Sequence, residues 1–461
     1  MKSRAFGFTR ISGSICAPRG FKCAAVFCDI KKLGTGKGSE KGRKDDLALI
    51  VSDVPAVVAG MFTTNQFCAA PIRVSRRVAA GKFARAIVVN SGNANAATGT
   101  QGLRDADAMT RQTASVLRKL ECNKHSSFVK AGEEVECNMH SSLSGLRIKP
   151  GDVLVCSTGR IGVAMPMKNV ERGIRACAPR LARSTSNARK VAEAIMTTDT
   201  RRKEIAVELT INNRVVRIGG ICKGAGMIQP GMATMLGFIT TDAAIESAAL
   251  KRALKIAVGQ SFNRVTVDGD MSTNDSVIAL ANGLARNPKF ESRNPKQFHI
   301  FQTALNFVCL ELAKMIVRDG EGTSRVVTLR VGGARNDREA EAAARAIANS
   351  SLVRSSWCGG DPNWGRILCA LGYSKARIDE SRVDVGYAPT DSRKILFAFR
   401  RGRPTNVALK ALAKISSQLE FDLHVDLHRG RGEFVIYAAD LTEQYVALNK
   451  GDVNDPTTLG G

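Results

Sequence analysis

Short strand-like runs alternate with helical segments along the whole 461-residue chain. The runs are rich in Val, Ile and Thr and are bounded by Gly, Asn and Asp, as is typical of β-strands; they include "ARAIVVNSG", "DVLVCSTG", "VELTINNRVVRI" and "TMLGFITT". Apolar residues recur at helical spacing between them, as in "FHIFQTALNFVCLELAKMIV". Because the two kinds of segment are intermixed, and because a hairpin is predicted around Asn212 and Asn213, we predict a mixed α/β protein with much antiparallel sheet.

The composition narrows the class of protein. Aromatic residues make up only 5% of the chain, so the core must be built from Ala, Val, Leu and Ile. No window holds about 20 apolar residues in a row, which argues against a membrane span, and the first residues lack the apolar region of a secretory signal. The twelve cysteines lie mostly inside apolar runs such as "VLVCSTG". We therefore predict buried, reduced thiols in a cytoplasmic protein rather than a disulfide framework.

The formal charge of +26 is unusually basic. A nucleic-acid partner, an acidic substrate or a basic proteome would each account for it. The charges are scattered, apart from one run between residues 31 and 46, and no zinc-finger, helix-turn-helix or stacking-platform pattern is present. We predict no nucleic-acid partner, and we keep a non-catalytic, basic nucleic-acid-binding paralogue as an alternative.

A local duplication lies within a segment at about 121–150. "ECNKHSS" and "ECNMHSS" each begin with Glu-Cys-Asn. Together they supply Cys122, His125, Cys137 and His140, which form a four-ligand set for a structural zinc ion. The alternative is a duplicated polar insertion without metal. Because a Cys-x-x-His pair is a weaker signal than Cys-x-x-Cys, we predict no metal and keep these four residues as weak candidates.

Familiar catalytic and ligand-binding motifs are missing. The chain has five histidines, none of which is an obvious base for a Ser-His-Asp or Cys-His site; two of them lie in "FDLHVDLHRG", which we interpret as a surface strand and turn. No Walker A motif, complete G-x-G-x-x-G or H-E-x-x-H is present. "DGDMSTND" fails as a calcium loop, because its sixth position is Thr273 rather than Gly and no glutamate closes it.

The pair Ala233-Thr234 stands where a Gly/Pro-rich loop meets an apolar strand, in "GAGMIQPGMATMLGFITTDA". A threonine hydroxyl is a poor nucleophile unless a base takes its proton. If the chain were cut before Thr234, a new α-amine would lie on the same residue as the hydroxyl, and such an amine ordinarily has a pKa of about 7.7–8.0. One residue would then be both nucleophile and base. The alternative is an ordinary strand start after a turn.

Eight stretches, taken in order, resemble motifs of the ornithine acetyltransferases of arginine biosynthesis. They are "APRGF", "NSGNANAATG", "STGRIG", "MTTDT", "KGAGMIQPGMATML", "DGDMSTND", "AKMIVRDGEG" and "GGDPNWGRIL". The resemblance covers nearly the whole chain. It implies a self-processing enzyme of the N-terminal-nucleophile type, in which Thr234 is the nucleophile and Ala233-Thr234 is the self-cleaved bond.

The same resemblance assigns roles to other residues of this chain. It places Thr158 and Gly159 at the oxyanion hole, where a glycine leaves room for a backbone N–H to approach the developing charge. It also implies substrate-binding roles, together with Thr234, for Thr200, Lys223, Glu321 and Asn449. Asn454 stands where the family has Thr or Ser, so the chain departs from the pattern at that contact.

The resemblance further implies layered sheets flanked by helices and two interleaved chains, an α chain of residues 1–233 and a β chain of residues 234–461. The enzyme would transfer acetyl from N2-acetyl-L-ornithine to L-glutamate through an acetyl-Thr234 intermediate, without a cofactor. Some relatives also use acetyl-CoA to acetylate glutamate, and no residue settles whether this chain does. The implied assembly is a heterotetramer of two α and two β chains. An N-terminal-nucleophile amidase or aminopeptidase is the alternative within the wider group.

Overall fold

The computed structural model describes residues 7–31, 44–126, 147–229, 235–288 and 295–450, with residues 123–126 described by their backbone alone. The strands of these residues are β1 Phe8–Ile11, β2 Phe21–Val26, β3 Leu47–Phe62, β4 Phe83–Asn93, β5 Val153–Arg160, β6 Lys203–Ile211, β7 Arg214–Lys223, β8 Leu236–Thr241, β9 Val265–Thr266, β10 Ser276–Ala281, β11 Val326–Ala334, β12 Asp384–Pro389, β13 Leu396–Arg400, β14 Arg403–Pro404, β15 Glu420–Asp426 and β16 Gly432–Ala439. The helices are α1 Ala70–Ala80, α2 Gly99–Ser126, α3 Met167–Cys177, α4 Thr185–Ala194, α5 Ser247–Gly259, α6 Pro295–Arg318, α7 Asp337–Ala348, α8 Ser351–Cys358, α9 Trp364–Gly372, α10 Leu409–Ser416 and α11 Glu443–Asn449. The predicted mixed α/β class is confirmed.

Nine strands form the first sheet, in the order β1-β6-β7-β8-β10-β3-β4-β5, with β2 paired to the first half of β3. The β8–β10 and β4–β5 pairs are parallel. Both faces of the sheet are covered: along β4, Ala86 and Val88 enter one apolar core, while Ile87 and Val89 enter another. Successive strand residues point to opposite faces, so a strand buried on both sides has the continuous apolar run seen in the sequence.

The second sheet has the order β14-β13-β12-β15-β11-β16-β9 and lies entirely after residue 235. Helix α7 packs on β11 and β16 and closes a core that includes Trp357 and Tyr387. Strand β15 lies between β12 and β11, and its Phe421, Leu423 and Val425 are buried. The interpretation of "FDLHVDLHRG" as a surface strand is therefore wrong, because its alternate apolar residues face the core of an internal strand.

The predicted hairpin is confirmed. Asn212 and Asn213 join β6 to β7, and Ile211 pairs directly with Arg214 across the turn. Both asparagines have positive φ, 49° and 58°. Two-residue hairpin turns of this hand match the twist of the flanking strands, and asparagine tolerates the left-handed region better than most residues.

The first sheet mixes strands from both sides of the bond between residues 233 and 234. Strand β7, before that bond, pairs with β8 after it, and β10, after the bond, pairs with β3 before it. Main-chain hydrogen bonds therefore join the two halves along two strand pairs. A cut at 233–234 would leave both fragments within one sheet.

Helix α6 is the one helix of the described chain that is long and apolar enough, by length and composition alone, to cross a membrane. It packs against β6, β7 and α5, and its Phe301, Leu305 and Leu312 side chains are buried. These are the surroundings of a core helix.

The structure describes eleven cysteines, all of them free thiols, and seven are buried. The buried seven are Cys16, Cys23, Cys28, Cys156, Cys177, Cys222 and Cys309. The buried environment predicted for most thiols is confirmed for this part of the chain.

Candidate active site

Three strand ends meet around the segment that contains Ala233 and Thr234. Strand β7 ends at Lys223, which pairs with Leu236, the first residue of β8. Leu236 also pairs with Ser276, the first residue of β10. Ala233 and Thr234 themselves lie outside the described residues. Strand β8, which begins two residues after Thr234 in the sequence, lies between β7 and β10.

Asp275 immediately precedes β10 and anchors the residue that follows position 234. Its Oδ1 accepts a hydrogen bond from the Met235 amide at 2.9 Å. The carboxyl group is completely buried. Burial raises the pKa of Asp275 well above its usual value, although the Met235 amide and the charge of Lys223 act in the opposite direction. Its Oδ2 has no hydrogen-bond partner among the residues that the structure describes.

Thr158 and Gly159 lie at the end of β5, against β4. Thr158 is buried, with 5% of its surface exposed. Gly159 has φ +125°, and a Cβ built on it would lie 2.4 Å from the carbonyl carbon of Gly92. A side chain is thus excluded both by the backbone conformation and by the close approach of β4. This steric reason for glycine is separate from the predicted oxyanion role, which stays a prediction.

Asn274 connects the end of β5 to the Asp275 anchor. Its Nδ2 donates to the carbonyl oxygen of Ser157 at 2.9 Å and to that of Ala94 at 2.6 Å. Ser157 directly precedes the predicted oxyanion pair. The side chain therefore holds the Thr158-Gly159 backbone beside the start of β10, close to the chain that leaves position 234.

Lys223 is buried, with 3% of its surface exposed. Its Nζ lies 3.8 Å from Oδ2 of Asp199. Burial lowers the pKa of Lys223, and the positive charge of Lys203 acts in the same direction, whereas Asp199 and Glu321 oppose the shift. The structure thus brings Lys223 close to Leu236 and within electrostatic range of three of the site's carboxylates, those of Asp199, Glu321 and Asp275.

Asp199 is the main counter-charge of this cluster, and sequence reasoning missed it. The carboxylate accepts hydrogen bonds from Lys203 Nζ and from the Gly224 amide, each at 2.6 Å. Burial alone would raise the pKa of Asp199, but Lys223, Lys203 and the Gly224 amide outweigh burial and hold it at about 2. The "MTTDT" motif marked this region, but nothing in the sequence alone paired its aspartate with Lys203 and Lys223.

Thr200 is joined to the same cluster through Asp319. Its amide donates to Asp319 Oδ2 at 3.1 Å, and its hydroxyl donates to Asp319 Oδ1. Lys203 also donates to Asp319. The Thr200 hydroxyl is therefore engaged in a contact that ties the loop before β6 to the end of α6. Its substrate-binding role stays a prediction.

Glu321 lies against the loop that leads from β7 toward position 230. Its amide donates to the Ala225 carbonyl at 2.9 Å. Its carboxylate covers Gly226 so closely that a Cβ there would lie 2.5 Å from Oε2. Asn449, in the C-terminal helix α11, donates from Nδ2 to Glu321 Oε2 at 2.9 Å. The two residues predicted to bind substrate are thus in direct contact.

Asp268 binds the same loop after β7, at Met227 and Ile228. Its carboxylate accepts hydrogen bonds from the amides of Met227 and Ile228, and Tyr445 of α11 places its hydroxyl 3.4 Å from Oδ2. Burial raises the pKa of Asp268 to about 6, although the amide donors, including that of Asp270, act in the opposite direction. The first aspartate of "DGDMSTND" therefore fastens the chain just before residue 230.

Several predicted residues cannot be placed. The substrate-binding candidate Asn454, like Ala233 and Thr234, lies outside the described residues. Of the four candidate zinc ligands, only the side chain of Cys122 is described, and it is exposed on α2. Within the described ranges, no group of three or more His, Cys, Asp and Glu side chains could hold a metal ion.

Comparison with known proteins gives the family. The model of the ArgJ family matches residues 31–451. The arginine biosynthesis bifunctional protein ArgJ of Symbiobacterium thermophilum is 43% identical over 440 residues, which cover 95% of this chain and 98% of the relative. The chain therefore belongs to the ArgJ family.

Two solved structures are also similar in part. One is the arginine biosynthesis bifunctional protein argJ of Bacillus halodurans, 37% identical, with a TM-score of 0.43 over 46% of this chain and 95% of that chain. The other is an ornithine acetyltransferase of Mycobacterium tuberculosis complexed with ornithine, 30% identical, with a TM-score of 0.38 over 48% of this chain and 98% of that chain. Each solved chain spans about half of this one.

Proposed function

We propose that this chain is an acetyltransferase of arginine biosynthesis that transfers acetyl from N2-acetyl-L-ornithine to L-glutamate, giving L-ornithine and N-acetyl-L-glutamate. The observation that carries the proposal is the match to the ArgJ family over residues 31–451, together with a relative 43% identical over 95% of the chain that is an arginine biosynthesis bifunctional protein. The motifs around Thr234 and the charged residues near the adjoining strand ends are compatible with that chemistry.

The nucleophile is Thr234, freed when the chain cleaves itself before that residue. The Thr234 hydroxyl attacks the carbonyl of Ala233, the peptide C–N bond breaks to leave an ester, and water then releases the two fragments. Asp275 supports this step by position: it holds the Met235 amide at 2.9 Å, and that nitrogen is bonded to the carbonyl carbon of Thr234. The α-amine of Thr234 that cleavage has released then serves as the general base.

Acetyl transfer proceeds in two half-reactions. The Thr234 hydroxyl attacks the acetyl carbonyl of N2-acetylornithine, ornithine leaves with the proton carried by the α-amine, and an acetyl ester remains on Thr234. The α-amino group of glutamate then attacks the ester carbonyl, the C–N bond of N-acetylglutamate forms and the ester C–O bond breaks, and the Thr234 α-amine passes the proton from the attacking nitrogen to the Thr234 oxygen. Backbone or hydroxyl donors of Thr158 and Gly159 stabilise the oxyanion of each tetrahedral intermediate. Their placement beside the start of β10 supports this assignment.

Charge complementarity supports the choice of an amino-acid substrate. Glu321, with Asn449 against it, offers a carboxylate to the side-chain ammonium of ornithine. Lys223 offers a cation to a substrate carboxylate, and Asp199 is its ion-pair partner. Thr200 is assigned a weaker, orienting role because its hydroxyl already binds Asp319.

The reaction as written needs no metal or organic cofactor, since acetyl passes directly between substrates. Acetyl-CoA enters only as an alternative acetyl donor, if the chain also synthesises N-acetylglutamate. The two fragments stay together, which the β7–β8 and β10–β3 pairings favour, and they assemble as a heterotetramer of two α and two β chains in the cytoplasm.

The test is a product assay on purified protein. With N2-acetylornithine and isotopically labelled glutamate, mass spectrometry should detect labelled N-acetylglutamate in amounts equal to the ornithine released. Release of acetate without N-acetylglutamate would instead identify an amidase or aminopeptidase. A parallel reaction with acetyl-CoA in place of N2-acetylornithine decides whether the chain has the second activity, and a Thr234→Ala variant is the blank.

A further inference from the structure

Cys16 and Cys23 are two buried thiols in direct contact. Cys16 ends a short 3-10 turn, Ser14–Cys16, and Cys23 lies in β2. Their sulfur atoms are 3.1 Å apart, which is about 1 Å longer than a disulfide bond of ~2.05 Å. Cys16 is 4% exposed and Cys23 is fully buried. Within the described chain this is the one pair of cysteine thiols joined by a hydrogen bond.

Cys16 also borders a surface cavity of about 350 Å³, whose lining includes Arg183, Ser184 and Arg217. Arg183 is fixed there, because its Nε donates to the Cys16 carbonyl at 3.3 Å. A cysteine reacts as its thiolate, and nearby positive charge favours that form. Cys16 therefore borders the cavity and has a cation nearby, whereas Cys23 is fully buried and is absent from the cavity lining.

The surroundings of Cys16 shift its pKa in the opposite direction from those of Cys156 and Cys309. A hydrogen bond from the Cys23 thiol lowers the pKa of Cys16; burial opposes that shift, while the backbone of Ser184 and the charge of Arg183 reinforce it. Burial raises the pKa of Cys156 and of Cys309, each to about 12. The thiol that borders the cavity is thus also the one whose anion is stabilised.

We propose that Cys16 and Cys23 form a reversible disulfide when a hydroperoxide enters this cavity. The Cys16 thiolate attacks one peroxide oxygen, so that an S–O bond forms, the O–O bond breaks and the alcohol or water leaves. The Cys23 thiol then attacks the Cys16 sulfenic acid, the S–S bond forms, and the S–O oxygen leaves as water with the Cys23 proton. The peroxide is reduced by two electrons, and the two thiols are oxidised.

The disulfide would lock a turn that packs across the centre of the first sheet. The Ile15 carbonyl accepts a hydrogen bond from the Thr240 hydroxyl of β8 at 2.8 Å, and Ser14 donates to the Gly220 carbonyl of β7 at 3.4 Å. These two strands lead away from and into the loop that carries Ala233 and Thr234. The modification is independent of the proposed acetyl transfer, since it requires only the folded chain.

The experiment treats the purified full-length protein with hydrogen peroxide, blocks remaining thiols by alkylation and maps the tryptic peptides. Cleavage after Arg10, Arg19, Lys22 and Lys31 releases Cys16 and Cys23 on separate peptides, Ile11–Arg19 and Cys23–Lys31. The expected result is a cross-linked pair of these peptides in most chains, which disappears after treatment with dithiothreitol. A Cys28→Ser variant should retain the link, because Cys28 shares a peptide with Cys23 but belongs to a different apolar core.

Cys16→Ser and Cys23→Ser should each abolish the link, while Cys309→Ser, at a buried thiol of a different apolar core, should keep it. If a serine variant does not fold, the map of the unmutated chain decides alone. The inference is wrong if Cys16 and Cys23 remain alkylatable thiols while the exposed Cys122 and Cys369 are oxidised, or if Cys23 becomes linked to Cys28 instead.

Discussion

Replacing Gly159 with alanine tests whether the end of β5 must pack closely against β4 and whether it also belongs to the catalytic centre. The new Cβ would lie 2.4 Å from the Gly92 carbonyl carbon and 2.7 Å from the Asn93 nitrogen. Both are backbone atoms, so no flexible side chain can move aside. The residue would also have to keep φ near +125°, a conformation that alanine rarely adopts.

The two costs can be estimated separately. Holding a non-glycine residue in a sparsely populated backbone region costs about 1–3 kcal/mol, so the free energy of unfolding should fall by at least that amount. Restoring ordinary contact with Gly92 requires β5 to move away from β4 by about 1 Å. If the Gly159 backbone binds the oxyanion, a displacement of that size should lower the acetyl-transfer rate by roughly 10²–10³-fold.

Gly162→Ala is the matched control. Gly162 has φ +78° but is exposed, and a Cβ there would meet nothing within 4 Å. Its variant should have the same kind of backbone strain while acetyl transfer stays near the rate of the unmutated enzyme. Denaturant unfolding and the N-acetylglutamate assay measure the two effects in each variant. Equal loss of activity in both variants, or full activity in Gly159→Ala, would refute this reasoning.

Three further predictions concern buried carboxylates and their partners. Asp268→Asn should remove a stability contribution that is present at low pH and is lost as pH rises from about 4 to about 6, on the order of 3 kcal/mol, measured as unfolding free energy against pH. Lys203→Met should destabilise the fold by about 3–5 kcal/mol, because Asp199 and Asp319 each lose a hydrogen-bonded buried cation, whereas the exposed Arg202→Met should cost less than about 1 kcal/mol. Asp275→Ala should slow self-cleavage by about tenfold or more because the Met235 amide loses its buried hydrogen-bond acceptor, whereas Asp275→Asn, which keeps an acceptor oxygen, should cleave at close to the normal rate; time-resolved gel analysis checks both.

The local pattern of the sequence predicted many of the strands. The runs that became β4, β5, β6 and β7 are short, rich in β-branched residues and punctuated by turn residues, so local chemistry defines them. Strand β3 is less visible, because it continues for eight residues beyond "LALIVSDV" only where it pairs with β4 and β10. Such pairing is long-range and leaves little trace in a window of sequence.

The candidate site also has a part that the sequence predicts and a part that it does not. The motifs containing Gly159, Lys223 and Glu321 could be found by resemblance, and the structure places Lys223 and Glu321 at the described part of one loop, that after β7. The cluster that joins Lys203 to Asp319 could not be predicted, because its members are 116 residues apart. The acidic run that begins at Asp268 suggests a cation site. In the structure the Asp268 carboxylate instead accepts hydrogen bonds from the main-chain amides of Met227 and Ile228, and no residue type in the sequence marks such main-chain donors.

The central claim is that Thr234 becomes an N-terminus and a nucleophile. Intact mass spectrometry of the freshly purified protein, beside a Thr234→Ala variant, tests it directly. We expect two fragments of 233 and 228 residues from the unmutated chain and a single uncut chain of 461 residues from the variant. A single mass of 49.4 kDa from both proteins would contradict it.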